Sequence, residues 1–437
     1  MCPAAANRGY RPDCDVCCQN APDKTGRPHM NDEINPEILK LSEMLATGKE
    51  PPTDLGEWDA GDDDYPIPPR HWLLGNVFCR RFVSSVIADG GTGKTALRVA
   101  QALALATGCN LTGEYVFQRC RVLLISLEDD KDELRRRVKA AMLHHDISEA
   151  DIKGWLFLAA PGSSAGKLMT LDTKGRPAIA GLAAALKRTI EHRKIDFVCL
   201  DPFVKTHGLS ENDNNQMDQV IELLANLAIE RNIAIDVPHH TAKGGATPGN
   251  ADRGRGASAI KDGGRLVYTL TTMSEDEAER FGVPVADRRL YIRMDSGKVN
   301  ITPPAAAAKW FKLVGVPLGN GNDLYPAGDN VQTVEPWAAP ETWEGLTDDL
   351  VNRILTDIDA GMPDGERYSD AGAATTRAAW KVVQKHAAKK TEKQCREIVA
   401  IWVKEGLLLK ETYHSPVDRK DREGLHVDDM KRPGKVT

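Results

Sequence analysis

The chain has 437 residues, 41% hydrophobic and 27% charged, with a formal net charge of −6, a balance that suits a globular protein and excludes a disordered or collagen-like one. No apolar run approaches the ~20 residues of a membrane span, and the N-terminus lacks the charged-then-apolar pattern of a secretory signal, so a cytoplasmic protein away from membranes is expected. The average hides a basic tail: residues 376–437 hold 15 Lys/Arg against 9 Asp/Glu, about +6, so any electrostatic footprint for nucleic acid is local.

Residues 1–65 read as a weakly ordered leader that closes in an acidic linker, "DLGEWDAGDDDYPIPP". Its cluster Cys14, Cys17 and Cys18 could supply half of a zinc site, but no second ligand pair follows at the needed spacing. From residue 66 to 315, short apolar strands alternate with helical periods, the pattern of a mostly parallel α/β sheet. Strands are expected at 82–88, 122–127, 155–160, 195–200, 233–238, 265–272, 288–294 and 298–302. Helices are expected at 94–107, 130–145, 178–193 and 214–231. A Pro/Gly/Asn-rich linker, 316–342, leads to a last domain, 343–437. Its three helical stretches and basic hairpin read as winged-helix-like.

The stretch "SSVIADGGTGKTALRVA" carries the first chemistry. Unpaired N–H groups at a helix start, together with the helix dipole, attract an anion, and glycines let the backbone wrap it. Asp89, Gly90, Gly91, Thr92, Gly93, Lys94, Thr95 and Ala96 are therefore expected to hold the phosphates of ATP. Lys94 is expected on the β/γ-phosphates and the Thr95 hydroxyl on Mg²⁺. Ala88 stands where the strict pattern has its first glycine.

Hydrolysis also needs one carboxylate for the metal and one for the attacking water, delivered by the C-terminal ends of parallel strands. "VLLISLEDD" ends in Glu128, expected at the water, and "FVCLD" ends in Asp201, expected at Mg²⁺. Asp129 and Asp130 read as helix-start carboxylates. A further strand ends in His239 and His240, either of which could sense a γ-phosphate. The glycine-rich basic stretch that follows brings Lys243, Arg253, Arg255, Lys261 and Arg265 as candidates for contacting DNA or a neighbouring subunit's phosphates.

These strand-end signatures, in this order, resemble the RecA-fold ATPases of the plasmid RepA-type hexameric replicative helicase group, which includes many phage and prophage ATPases. The likeness rests on "HWLLGNVFCRRFVSSVIADGGTGKTAL", "VLLISLEDDKDELRRRV", "FVCLDPFVKTHGLSENDN", "HHTAKG" and "RGASAIKDGGR", over about residues 71–315. It implies a RecA-like P-loop NTPase core, with Glu128 as catalytic carboxylate, Asp201 as second acidic motif, and His240 or His239 as sensor. It also implies Arg255 as a finger supplied in trans, hexameric rings, and single-stranded DNA in the channel.

In the last domain, Lys393, Arg396 and Lys404 fall opposite an apolar stripe on one helix, a face suited to duplex DNA. The expected function is an ATP-driven DNA motor, a helicase. The alternative is an ATP-switched DNA-binding regulator or initiation factor that uses the C-terminal domain on duplex DNA or a replication protein. A filament-forming recombinase is a third reading.

Overall fold

The computed structural model describes residues 56–63, 65–241, 247–250, 260, 263–303, 307–340 and 342–434. They form two compact units. The first runs to Thr272 and resumes over Leu290–Trp337; the second joins Met273–Arg289 to the chain from Ala338 onward.

The first unit is built on a ten-stranded sheet preceded by a hairpin, β1 (Trp72–Leu74) and β2 (Phe78–Cys79). Its parallel strands are β3 (Val83–Ala88), β4 (Val122–Ser126), β5 (Leu156–Ala159), β8 (Phe197–Asp201), β9 (Ala234–Asp236), β10 (His239–His240) and β11 (Leu266–Thr272). A small separate hairpin, β6 (Met169–Leu171) with β7 (Pro177–Ile179), follows β5. Three antiparallel strands extend the sheet: β12 (Tyr291–Val299), β13 (Lys309–Pro317) and β14 (Asn330–Pro336). The order is β14-β13-β12-β11-β3-β9-β8-β4-β5, so β3 lies at the centre with all six residues buried. Strands covered on both faces are mostly apolar, which is why β4 and β8 are legible as near-continuous runs, while β3 carries Ser84 and Ser85 among its apolar residues.

Helices α1 (Lys94–Thr107), α2 (Lys131–His144), α3 (Gly181–Arg193) and α4 (Asn214–Glu230) connect the parallel strands. α1 is Ala/Leu-rich and buried around nearly its whole circumference, as a helix inside a core must be. β9 and β10 form one strand interrupted at Val237-Pro238. Proline has no N–H to give the ladder, and the Ser85 hydroxyl donates instead to the Val237 carbonyl at 2.7 Å.

Two expectations are corrected here. β12 is one strand where the sequence suggests two, and β14 occupies part of the stretch expected as a linker.

The second unit packs α6 (Asp348–Ala360), α7 (Trp380–His386) and α8 (Glu392–Lys404) with the hairpin β15 (Leu408–His414) and β16 (Asp421–Val427). α6 buries Val351, Ile354, Leu355 and Ile358, and α8 buries Ile398, Val399 and Trp402, onto a core shared with Leu408 and Leu425. α7 begins only at Trp380, behind a run of turns. α5 (Glu275–Phe281), capped by Ser274 and Glu277, also belongs to this unit.

Candidate functional site

β3 ends at Ala88 and α1 starts at Lys94; the loop between them crosses the top of the sheet. Gly91 (φ 77°) and Gly93 (φ 99°) take the left-handed conformations. At Gly93 a Cβ would also come within 2.8 Å of Leu313 Cδ2. Among the described residues nothing lies within 4 Å of where a Cβ would stand on Gly90 or Gly91, so they leave this side of the loop open. Ala88 stays in the ladder, opposite Leu270 and His240, and outside the left-handed region. The absent first glycine therefore costs the loop nothing.

Lys94 is buried and its Nζ donates to the Ala88 and Asp89 carbonyls, both at 3.0 Å. Burial lowers its pKa to about 8, against the pull of Asp201, Asp89 and Glu128. An ammonium desolvated and held only by neutral acceptors is poised for a stronger anionic partner. The Thr95 hydroxyl donates to Asp201 Oδ2 at 2.7 Å, which joins the two expected metal-site residues. Burial raises the Asp201 pKa in spite of Thr95 and Lys94. A hydroxyl and a carboxylate beside an open, glycine-lined loop are the donor set that Mg²⁺ with a triphosphate requires, so the residues fit both.

Glu128 stands exposed two residues past Ser126, which pairs with Asp201 across the β4–β8 ladder. Its charge acts on Lys94, Asp201 and His240. Asp129 and Asp130 have other work. Asp130 caps α2 by accepting from Glu133 N at 2.7 Å, and Asp129 pairs with Arg137 at 2.9 Å.

Strand alternation separates the two histidines. His240 turns to the loop, its Nδ1 3.1 Å from Lys94 Nζ. Burial first, then Lys94, lowers its pKa; a neutral ring can accept from the ammonium, which has no lone pair to offer. His239 is buried on the other side, edge-on to Phe203 at 5.7 Å. His207 is buried against the same ring at 4.9 Å, and burial lowers its pKa to about 4.

Lys94, Thr95, Asp201, His240 and Glu128 thus meet at one edge of the sheet. Lys243, Arg253, Arg255 and Lys261 lie outside the described residues. Arg265 is exposed at the start of β11, the opposite edge. In the second unit, Lys393 Nζ lies 3.4 Å from Asp276 of α5, and Arg396 pairs with Glu392 at 2.8 Å while its guanidinium lies over Trp380. Lys404 is exposed.

Sequence reasoning missed a buried pair beneath the loop. Arg98 of α1 donates to both carboxylate oxygens of Asp236 in β9, at 2.7 and 2.9 Å, and the Ser84 hydroxyl donates to the same carboxylate at 2.7 Å. Its only sequence signal is a charge inside each of two apolar runs, "TALRVA" and "IAIDVP".

Residues 49–246 match a family described as an AAA domain. A KaiC-like protein from the hyperthermophilic archaeon Pyrococcus horikoshii is similar at 11% identity, over 62% of this chain and 100% of that one, with a TM-score of 0.36; so distant a likeness carries no argument. With the strand order and the loop above, the family match makes the first unit a RecA-like P-loop ATPase domain, and ATP with Mg²⁺ goes with that class. None of the helices among the described residues is long and apolar enough to cross a membrane.

Proposed function

We propose that the chain is an ATP-hydrolysing DNA motor, a ring-forming replicative helicase of the phage and plasmid RepA-type group. One observation carries the reading: Lys94, Thr95–Asp201, Glu128 and His240 meet at the C-terminal edge of a parallel sheet, a set suited to hydrolysis. The loop amides and Lys94 would hold the phosphates, while Thr95 and Asp201 would hold Mg²⁺, which supplies charge neutralisation on the phosphate oxygens. Glu128 accepts a proton from the attacking water. His240 exchanges its contact with Lys94 for one with the γ-phosphate and so carries the nucleotide state into β10. Arg255 of a neighbouring copy is the finger, and Lys243 and Arg253 face single-stranded DNA.

The test is ATPase activity with and without single-stranded DNA, together with strand displacement. Lys94→Ala and Glu128→Gln should abolish both, and Glu128→Gln should still bind ATP. Arg255→Ala mixed with Lys94→Ala should recover part of the activity, because a mixed ring contains some intact shared sites. Turnover indifferent to DNA would overturn the motor.

A second reading, an ATP-switched DNA-binding regulator, is favoured by the second unit. Three helices followed by a two-stranded hairpin have the winged-helix order. That reading needs the α8 face, where Lys393 is engaged by α5 and Arg396 by Glu392 and Trp380, so of the three cations Lys404 alone makes no ion pair with the described residues.

A further inference from the structure

The six parallel strands β11, β3, β9, β8, β4 and β5 all begin at the edge of the sheet opposite the ATP site. A cation stands at the entry to each: Arg265, Arg81, Arg231, Lys194, Arg121 and Lys153, in that spatial order; of these Arg231 is already paired, with Glu191 at 2.6 Å and Glu230 at 3.1 Å. At ~4.8 Å between neighbouring strands, the row spans ~24 Å. The charge runs against the chain's net −6, and acids gather at the other edge in Asp89, Glu128, Asp129, Asp130 and Asp201.

Two features separate this row from incidental surface charge. Arg81 and Lys194 are held at φ 68° and 53°, the left-handed region where a side chain is strained and glycine is not. Lys194 is the C-terminal cap of α3, where glycine is the usual residue. Strain retained beside a charge points to a use for the charge. Helix dipoles account for cations at the ends of α3 and α4, but Arg81 and Arg121 follow no helix.

The base of the row is also rigid. Asp196 accepts from Arg80 at 2.8 Å and from the Arg121 amide at 2.7 Å, and Arg80 donates to the Asn232 carbonyl at 2.7 Å. Arg81, Lys153, Lys194 and Arg265 are exposed above it and make no ion pair with the described residues.

We propose that this edge binds the sugar-phosphate backbone of a nucleic acid, at a surface separate from the ATP edge. Cations at successive strand entries over ~24 Å suit a chain of phosphates rather than one small anion, and they reach across a few nucleotides. Guanidiniums of Arg119 and Arg121 lie over Trp155, 4.2 and 5.3 Å from the ring centroid, which fixes Arg121 in its place in the row. The proposed motor function enters only through the choice of nucleic acid as partner.

The experiment measures binding of a labelled oligonucleotide, single-stranded and in parallel duplex, across a salt series. It compares the wild type with Arg81→Gly/Lys194→Gly and with Arg265→Glu. Glycine accepts the left-handed backbone, so the double variant should fold with a Tm equal to or above wild type. Binding should weaken by roughly an order of magnitude, and the slope of log affinity on log salt should become less negative by about 1.4 for single strands. Basal ATPase without DNA should not change; wild-type basal turnover that is absent would sink the proposed function and still leave the binding result readable. Affinity within about twofold of wild type with an unchanged slope would overturn the inference. So would a change in oligomeric mass with DNA affinity intact, which would make this edge a contact between copies.

Discussion

Arg98 and Asp236 link the two sides of the ATP site through the core. Arg98 lies one turn beyond Thr95, Asp236 lies four residues before His240, and both side chains are essentially inaccessible. Removing one member leaves a buried charge without its partner, which costs about 3–5 kcal/mol, whereas an apolar pair of similar volume is often neutral. Asp236→Leu alone should therefore lower the unfolding free energy by about that much, and Arg98→Met/Asp236→Leu should recover most of the loss in chemical denaturation. If the pair also sets His240 against Lys94, the stable double variant will keep its KM for ATP and lose kcat; full activity would leave the pair a purely structural role. Lys94 supports a prediction in pH. Its pKa in the folded chain, about 8, lies below the usual 10.5, so between those values the unfolded state binds more protons and stability rises with pH. Affinity for ATP needs the ammonium and falls over the same window. Thermal unfolding and ATP titration from pH 7 upward should move in opposite directions, and parallel trends would mean that Lys94 does not meet the phosphates.

At the scale of elements, the phosphate loop is held between α1 and the antiparallel extension of the sheet. Gly93 takes φ 99° with Leu313 of β13 where a Cβ would project. Gly93→Ala then combines backbone strain with overpacking, at a cost of about 1–3 kcal/mol. ATP should no longer raise the Tm of the variant; an undiminished ATP-induced shift would show that the loop tolerates the distortion. The stretch of β13 falls almost wholly within the expected core, 66–315, yet no strand is expected there, and the reason is physical. β13 alternates buried Phe311, Leu313 and Val316 with half-exposed Trp310 and Lys312, and β14 buries little beyond Thr333 and Val334. A one-sided strand in Gly- and Asn-rich surroundings reads as linker, as β14 does, while β3, β4 and β8, covered on both faces, were plain. α5 was missed for a similar reason: among its seven residues only Ala278 is buried. The site residues split along the same line. Lys94, Thr95 and Asp201 follow from loop chemistry, but the choice of His240 over His239 needs the register of β10 on β3, and Arg98–Asp236 needs the fold itself.

Over the whole molecule, chain connectivity matters most where the second unit borrows Met273–Arg289 from between β11 and β12. Its α5 is bound to α8 by Arg280–Glu397 at 2.8 Å and by Lys393, whose Nζ donates to the Asp276 carbonyl at 3.1 Å. A seven-residue helix is not stable alone in water, since helix nucleation is unfavourable and short segments gain too few bonds. Cutting the chain after Trp337 therefore does not isolate the ATPase: it leaves α5 without its partner and exposes Ala278 and Met273, both fully buried in the intact chain. That truncation should lower the Tm and shift the protein toward aggregates in size-exclusion chromatography. A second truncation that also replaces 273–289 with a short Gly/Asn turn should be monomer-competent and retain ATP binding, because β11 and β12 are antiparallel neighbours that a tight turn can join. Equal behaviour of the two truncations would show that α5 folds without α8. Loss of ATP binding in both would instead make the second unit a necessary part of the ATPase, and the C-terminal stretch could not then serve as a separable DNA-binding module.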